Sequence, residues 1–162
     1  MTSLYDMPVI KLYTRINAPI EVCFDLARSI DLHTDSMQHT GETAIAGKMH
    51  GLIEPGETVT WRAKHFGIWQ SLTSKITEFD RPNYFVDEMV KGAFKRFRHE
   101  HRFEQSGGAT IMTDIFDFDA PFGFLGKIVV VLFLRKYMIQ LLERRNVEIK
   151  QTAENQHKAL SV

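Results

Sequence analysis

Two histidines separated by a single glutamate stand in the middle of "FRHEHRF", Phe97 to Phe103. Along an extended strand alternate side chains share a face, so Phe97, His99, His101 and Phe103 point one way and Arg98, Glu100 and Arg102 the other. A pair of imidazoles on an apolar face can do three kinds of chemistry. Both rings can ligate one metal ion, with His65 or Asp114 as further ligands. One ring can act as a general base when a carboxylate orients it. Or the pair can line a pocket as ordinary hydrogen-bonding groups, satisfied by an acid opposite. Nucleophilic catalysis is poorly supplied, because Ser71, Ser74 and Cys23 have no base assigned to them by the sequence.

The elements that must position these groups can be read from pattern. "PVIKLYTRIN" (8–17) alternates and is rich in strand formers. A short helix follows over 19–28, with Asn17 able to cap, Pro19 in the first turn, and Val22, Leu26 and Ile30 at helical spacing. A second short helix is expected near 30–37. Residues 39–57 hold four glycines and a proline, which predicts one short strand with long connections. From Glu57 the character is sheet: "ETVTWRAKHF" puts Val59, Trp61, Ala63 and His65 on one face, and Gly67 permits a tight turn. Further strands follow in "IWQSLTSKITEF", "YFVDEMV", "FKRFRHEHRFE" and "TIMTDIFDFD", and a long helix is expected over about 125–151. Consecutive strands with short turns make an antiparallel meander. About seven strands curved around one long C-terminal helix, with two short helices after the first strand, is an α+β arrangement.

Hairpin register then places the histidines. If Phe103 pairs with Met112 across "EQSGGAT", His101 faces Asp114, His99 faces Phe116 and Phe97 faces Phe118; a slip of one residue would separate the apolar members. Around Lys91-Gly92-Ala93, similar reasoning sets Phe85 opposite His99 and Asp87 opposite Phe97. On this register His101 has a carboxylate neighbour and His99 lies among rings. The concave face is a mostly apolar wall with a few ionisable groups, the composition of a small-molecule cavity. Trp61 is expected in the core and Trp69 at the surface.

On the long helix, Val130, Val131, Leu134, Met138, Leu141, Leu142 and Ile149 form the stripe expected to lie on the sheet, interrupted by Arg145. Leu125, Ile128, Val129, Leu132, Phe133 and Ile139 make a second apolar stripe on the opposite side. The 39–57 segment is expected to cover it; otherwise it is a shelf for dimerisation or lipid contact.

Bulk properties bound the function. A length of 162 residues suits one domain, with a core of about 8–151 and a flexible tail over 152–162. Twenty basic residues balance twenty acidic ones, so nothing points to nucleic acid as a partner. The single cysteine, Cys23, excludes an internal disulfide and fits a reducing compartment. The N-terminus has no secretory pattern. The longest apolar run, Ile128 to Leu134, falls well short of the roughly 20 residues a bilayer span needs. A cytoplasmic protein is the expectation.

Several stretches carry a resemblance: "INAPIEVCFDLARSIDLH", "VTWRAKHFG", "LTSKITEFDRPNYFVDEMVKGAF", "RHEHRFE" and "MTDIFDFDAPFGFLG". Over about residues 8–150 the chain resembles the START-like, Bet v 1-like and polyketide cyclase-like domains of the helix-grip (SRPBCC) superfamily. The resemblance implies a hydrophobic ligand gripped between curved sheet and long helix, and it brings no catalytic motif common to all members. The ligand expected is a small hydrophobic molecule of lipid, polyketide or isoprenoid type. Its contacts are Trp61, His65, Phe85, Phe97, His99, His101, Asp114, Phe116, Leu134 and Met138, with His65, His101 and Asp114 as polar anchors. The mouth is expected at the 41–56 loops and the start of the last helix. No metal or cofactor is expected. The alternatives are a cyclase or dehydratase working through a His101–Asp114 pair, and an interaction module without ligand that forms a homodimer through Leu125, Ile128, Leu132 and Ile139.

Overall fold

The computed structural model describes residues 9–119 and 127–161, with the backbone alone for 127–131. Strand β1 (Val9–Ile16) leads into two short helices, α1 (Ile20–Ala27) and α2 (Ile30–Ser36), and a single 3-10 turn at Gln38–Thr40. Six strands follow: β2 (Thr43–Gly47), β3 (Thr58–His65), β4 (Ile68–Asp80), β5 (Tyr84–Lys91), β6 (Arg96–Ser106) and β7 (Ala109–Asp119). Helix α3 (Lys127–Leu160) closes the chain. The seven strands form one open antiparallel sheet in the order β1-β7-β6-β5-β4-β3-β2, and α3 lies against β1, α1 and α2. This is the helix-grip arrangement expected from the sequence.

Local chemistry accounts for most boundaries. Ser29 caps α2, its hydroxyl accepting from the Leu32 amide at 3.2 Å. Asn17 does not cap α1. The cap position is Pro19, which offers no side-chain acceptor, and the Asn17 amide instead donates to Glu154 Oε1 on α3 at 2.9 Å. At the β3–β4 hairpin Phe66 and Gly67 both have positive φ, 52° and 77°, the two-residue turn whose twist matches the flanking strands. Trp61 is buried, whereas Trp69 is exposed with the Arg62 guanidinium over its ring.

The β6–β7 register is the expected one, with Phe103 opposite Met112, His101 opposite Asp114, His99 opposite Phe116 and Phe97 opposite Phe118. The β5–β6 register is shifted by two: Phe85 faces His101, and Asp87 faces His99. The connection is longer than the expected Lys91-Gly92-Ala93 turn, because Phe94 turns inward to pack on Phe97, Phe116 and Phe118 with ring centroids 5.6–6.1 Å apart. An even slip keeps every side chain on its face, so the concave wall survives while its cross-strand neighbours change. Asp87 thereby moves beside the histidines.

Two apolar clusters flank the sheet's concave side. One gathers Phe24 of α1 with Phe85, Phe103, Met112, Ile149 and Ala153; the other gathers Ile10, Phe97, Phe116, Phe118 and Leu142. Helix α3 continues to Leu160 and Ala153 is fully buried, so the ordered core passes the boundary expected near 151. The second apolar stripe of α3 is treated unevenly. Ile139 is partly buried and packs against the second cluster. Leu132 and Phe133 are 65% and 58% exposed, so the 39–57 segment does not cover them. That segment instead runs by α2, with Ser29 bridged to Leu52 and the Ile53 amide bonded to the Arg28 carbonyl. Leu125 and the Ile128 side chain lie outside the described residues.

Candidate functional site

Between the concave face, α1–α2 and α3 lies a cavity of about 820 Å³. Its floor is the inward row of β3 to β7, and its roof is the 134–145 part of α3. Nine of the ten residues expected to contact a ligand line it: Trp61, His65, Phe85, Phe97, His99, His101, Phe116, Leu134 and Met138. Asp114 does not, so it is corrected from anchor to backing residue. Of the 41–56 loops only Glu42 and Ile53 reach the cavity, while Lys91 to Phe94 border it instead.

One part of this apolar wall is strongly polar. Asp114 on β7 is fully buried, and its carboxylate collects four donors. Oδ1 lies 2.9 Å from His99 Nε2, 3.1 Å from His101 Nδ1 and 3.4 Å from Arg145 Nη1; Oδ2 accepts from Asn146 Nδ2 at 2.7 Å. In front of the histidines stands Asp87 on β5, with Oδ1 2.8 Å from His101 Nε2 and 3.8 Å from His99 Nδ1. The two rings are themselves 3.8 Å apart, and Phe85 stacks on His101 at 4.2 Å. Both imidazoles therefore have carboxylate neighbours. The expected contrast, His101 paired with an acid and His99 set only among rings, does not hold; the register shift of β5 and the reach of Asp114 past its direct partner remove it.

Arg145 and Asn146 complete the cluster and were not assigned to it by sequence. Arg145 Nη2 donates to the Ala27 carbonyl at 2.9 Å and approaches His101 Nδ1 at 3.4 Å, while Asn146 Nδ2 also reaches Thr14 Oγ1 at 3.2 Å. A signal was present: Arg145 falls on the stripe of Leu141, Leu142 and Ile149, and a charge on a buried helix face needs a counter-ion. Among the described residues no buried side-chain nitrogen or oxygen lacks a hydrogen-bond partner.

The electrostatics follow from this packing. Burial works against the charged form of Asp114, but hydrogen bonds from His101 and His99 and the nearby Arg145 charge outweigh it, holding its carboxyl well below the usual carboxylate range. Burial also opposes ionisation of Asp87, and the hydrogen bond from His101 overcomes it, so its pKa is lowered as well. Burial, helped by the neighbouring His101, pushes His99 down to about 4, so it is neutral at pH 7. With His99 Nε2–H donating to Asp114, its Nδ1 carries a lone pair on the side of Asp87.

His65 lies apart from this cluster. Its Nδ1 is 2.7 Å from the Tyr137 hydroxyl, and Phe66 packs on Tyr137 with ring centroids 4.7 Å apart. It lines the cavity without meeting His99 or His101.

Comparison with known proteins agrees with this architecture. The family model described as "Polyketide cyclase / dehydrase and lipid transport" matches residues 16–145. No curated protein matches in sequence. Among solved structures, TTHA0849 from Thermus thermophilus is 16% identical, covers 90% of this chain and 99% of its own, and superposes with a TM-score of 0.71. Protein Ms6760 from Mycobacterium smegmatis is 16% identical over 94% of each chain, with a TM-score of 0.67. The ginseng major latex-like protein 151 from Panax ginseng is 14% identical, covers 91% of this chain and 97% of its own, and gives 0.65. At these identities the likeness is one of fold.

Proposed function

Because the chain belongs to the polyketide cyclase / dehydrase and lipid transport family, we propose that its cavity binds a small hydrophobic molecule of lipid, polyketide or isoprenoid type. The observation that carries this reading is the cavity itself, about 820 Å³ and walled mainly by Trp61, Phe85, Phe97, Phe116, Leu134 and Met138. Pockets of about 300–1,000 Å³ suit molecules of drug size, with a few placed polar groups fixing orientation. The apolar body of the ligand packs between sheet and α3, and its polar end meets Asp87, His99 and His101. Burial of apolar ligand surface supplies the driving force, roughly 25 cal/mol per Å² before the costs of association. The buried free thiol of Cys23 suits a reducing, cytoplasmic setting. No helix among the described residues is long and apolar enough to cross a membrane.

Native mass spectrometry of the chain purified from its own source tests the reading. A co-purifying small organic molecule that organic solvent extracts is expected. A bare chain that also takes up no lipid, polyketide or isoprenoid added in excess would contradict it.

A further inference from the structure

The cavity-facing donors of Asp87, His99 and His101 all lie within 4.8 Å of one another. We propose that these three side chains hold one divalent first-row transition ion, with its remaining coordination positions open to the cavity. The sequence offered His65 or Asp114 to complete a His-x-His pair. The fold supplies Asp87 instead, as the direct cross-strand partner of His99, and commits His65 to Tyr137.

The tautomers favour this assignment. A histidine that binds metal through one nitrogen donates the proton on the other to a carboxylate or carbonyl behind it. Asp114 Oδ1 is placed to accept from both rings, 2.9 Å from His99 Nε2 and 3.1 Å from His101 Nδ1. With protons held on those nitrogens, His99 Nδ1 and His101 Nε2 both turn toward Asp87 Oδ1, at 3.8 and 2.8 Å. Ligand atoms on one ion at about 2.0–2.2 Å sit roughly 3–3.5 Å apart, and the two contacts to Asp87 Oδ1, at 2.8 and 3.8 Å, lie within a few tenths of an ångström of that spacing. The proton in the His101–Asp87 contact leaves to solvent as the ion enters.

Two carboxylates serve the two imidazoles, Asp87 on the cavity side and Asp114 behind. Imidazole and carboxylate ligands together suit borderline ions such as zinc(II) or cobalt(II). Three protein ligands with open positions are the arrangement of an accessible site rather than a closed structural one. This inference goes beyond the ligand reading, since it is measured on ligand-free protein and either can fail without the other.

The test is cobalt(II) titration of tag-free chain stripped by a chelator. Saturable binding of one ion per chain, with visible absorption bands that zinc(II) abolishes by displacement, is expected. Asp87→Ala and His101→Gln should each weaken it at least tenfold, Asp114→Asn by about 10–100-fold with all three ligands still present, and His65→Gln not at all. Absence of saturable binding, or binding that persists in Asp87→Ala, overturns the proposal. Should the variants fail to fold by circular dichroism, X-ray absorption of the unaltered zinc-loaded chain decides. Scattering from two imidazoles supports the site, and its absence refutes it.

Discussion

Asp114→Ala is expected to destabilise the fold by about 3–5 kcal/mol, the usual cost of removing one partner from a buried ion pair. The side chain is fully buried and serves four donors on β6 and α3. Without it, Arg145 keeps only the Ala27 carbonyl and weaker contacts, and its guanidinium remains buried. Asn146 Nδ2 loses its 2.7 Å acceptor and retains Thr14 Oγ1 at 3.2 Å. Urea unfolding at pH 7 measures the loss, and a cost below about 1 kcal/mol would mean that the cluster relaxes around the missing carboxylate. The pairing with Arg145 is separable. If the penalty comes from an uncompensated charge, Asp114→Ala combined with Arg145→Met should cost less than the two single changes added together.

Phe24→Ala is expected to cost a similar amount, about 3–5 kcal/mol, through a different mechanism. Phe24 is fully buried at the junction of α1 with the sheet, edge-on to Phe79, Phe85 and Phe103 at ring centroids of 5.3–5.4 Å. The Arg28 guanidinium lies over it at 5.7 Å. Alanine leaves a void that Arg28, at the end of α1, and one ring on each of three strands would have to close, and close-packed elements collapse only in part. Phe24→Leu keeps much of the volume and should cost clearly less. Equal losses for the two variants would show that ring geometry, rather than filled space, holds α1 on the sheet.

How far the sequence carried these conclusions depends on the range of the interaction. Alternation in "FRHEHRF" and "TIMTDIFDFD", with a short turn between them, fixed the β6–β7 register completely, because a one-residue slip would expose Phe97 and Phe103. The β5–β6 register missed by two residues because Phe94 is drawn inward by rings on β6 and β7. No local turn rule reports that pull. The cavity wall was legible since an even slip preserves faces. The chemistry of its polar part was not, since Asp87 gained the histidines through that slip and Arg145 through the placement of α3 on β1 and α1. Arg145 read as a defect in an apolar stripe; it is the cation beside the buried Asp114 carboxylate. The C-terminal end of α3 read as a tail because residues 152–162 are polar, yet Ala153 finds the core against α1 and β1 neighbours.

The central claim is that the space under α3 takes up an apolar ligand. Binding of a neutral, environment-sensitive dye to the ligand-free chain, compared with Ala63→Phe, tests it most directly. Ala63 is buried and lines the cavity, so a phenyl ring there enters the ligand volume without disturbing the polar cluster. The account predicts saturable, one-to-one fluorescence enhancement by the unaltered chain and at least a tenfold loss in a folded Ala63→Phe variant. Equal enhancement by both would place the dye elsewhere and contradict the account.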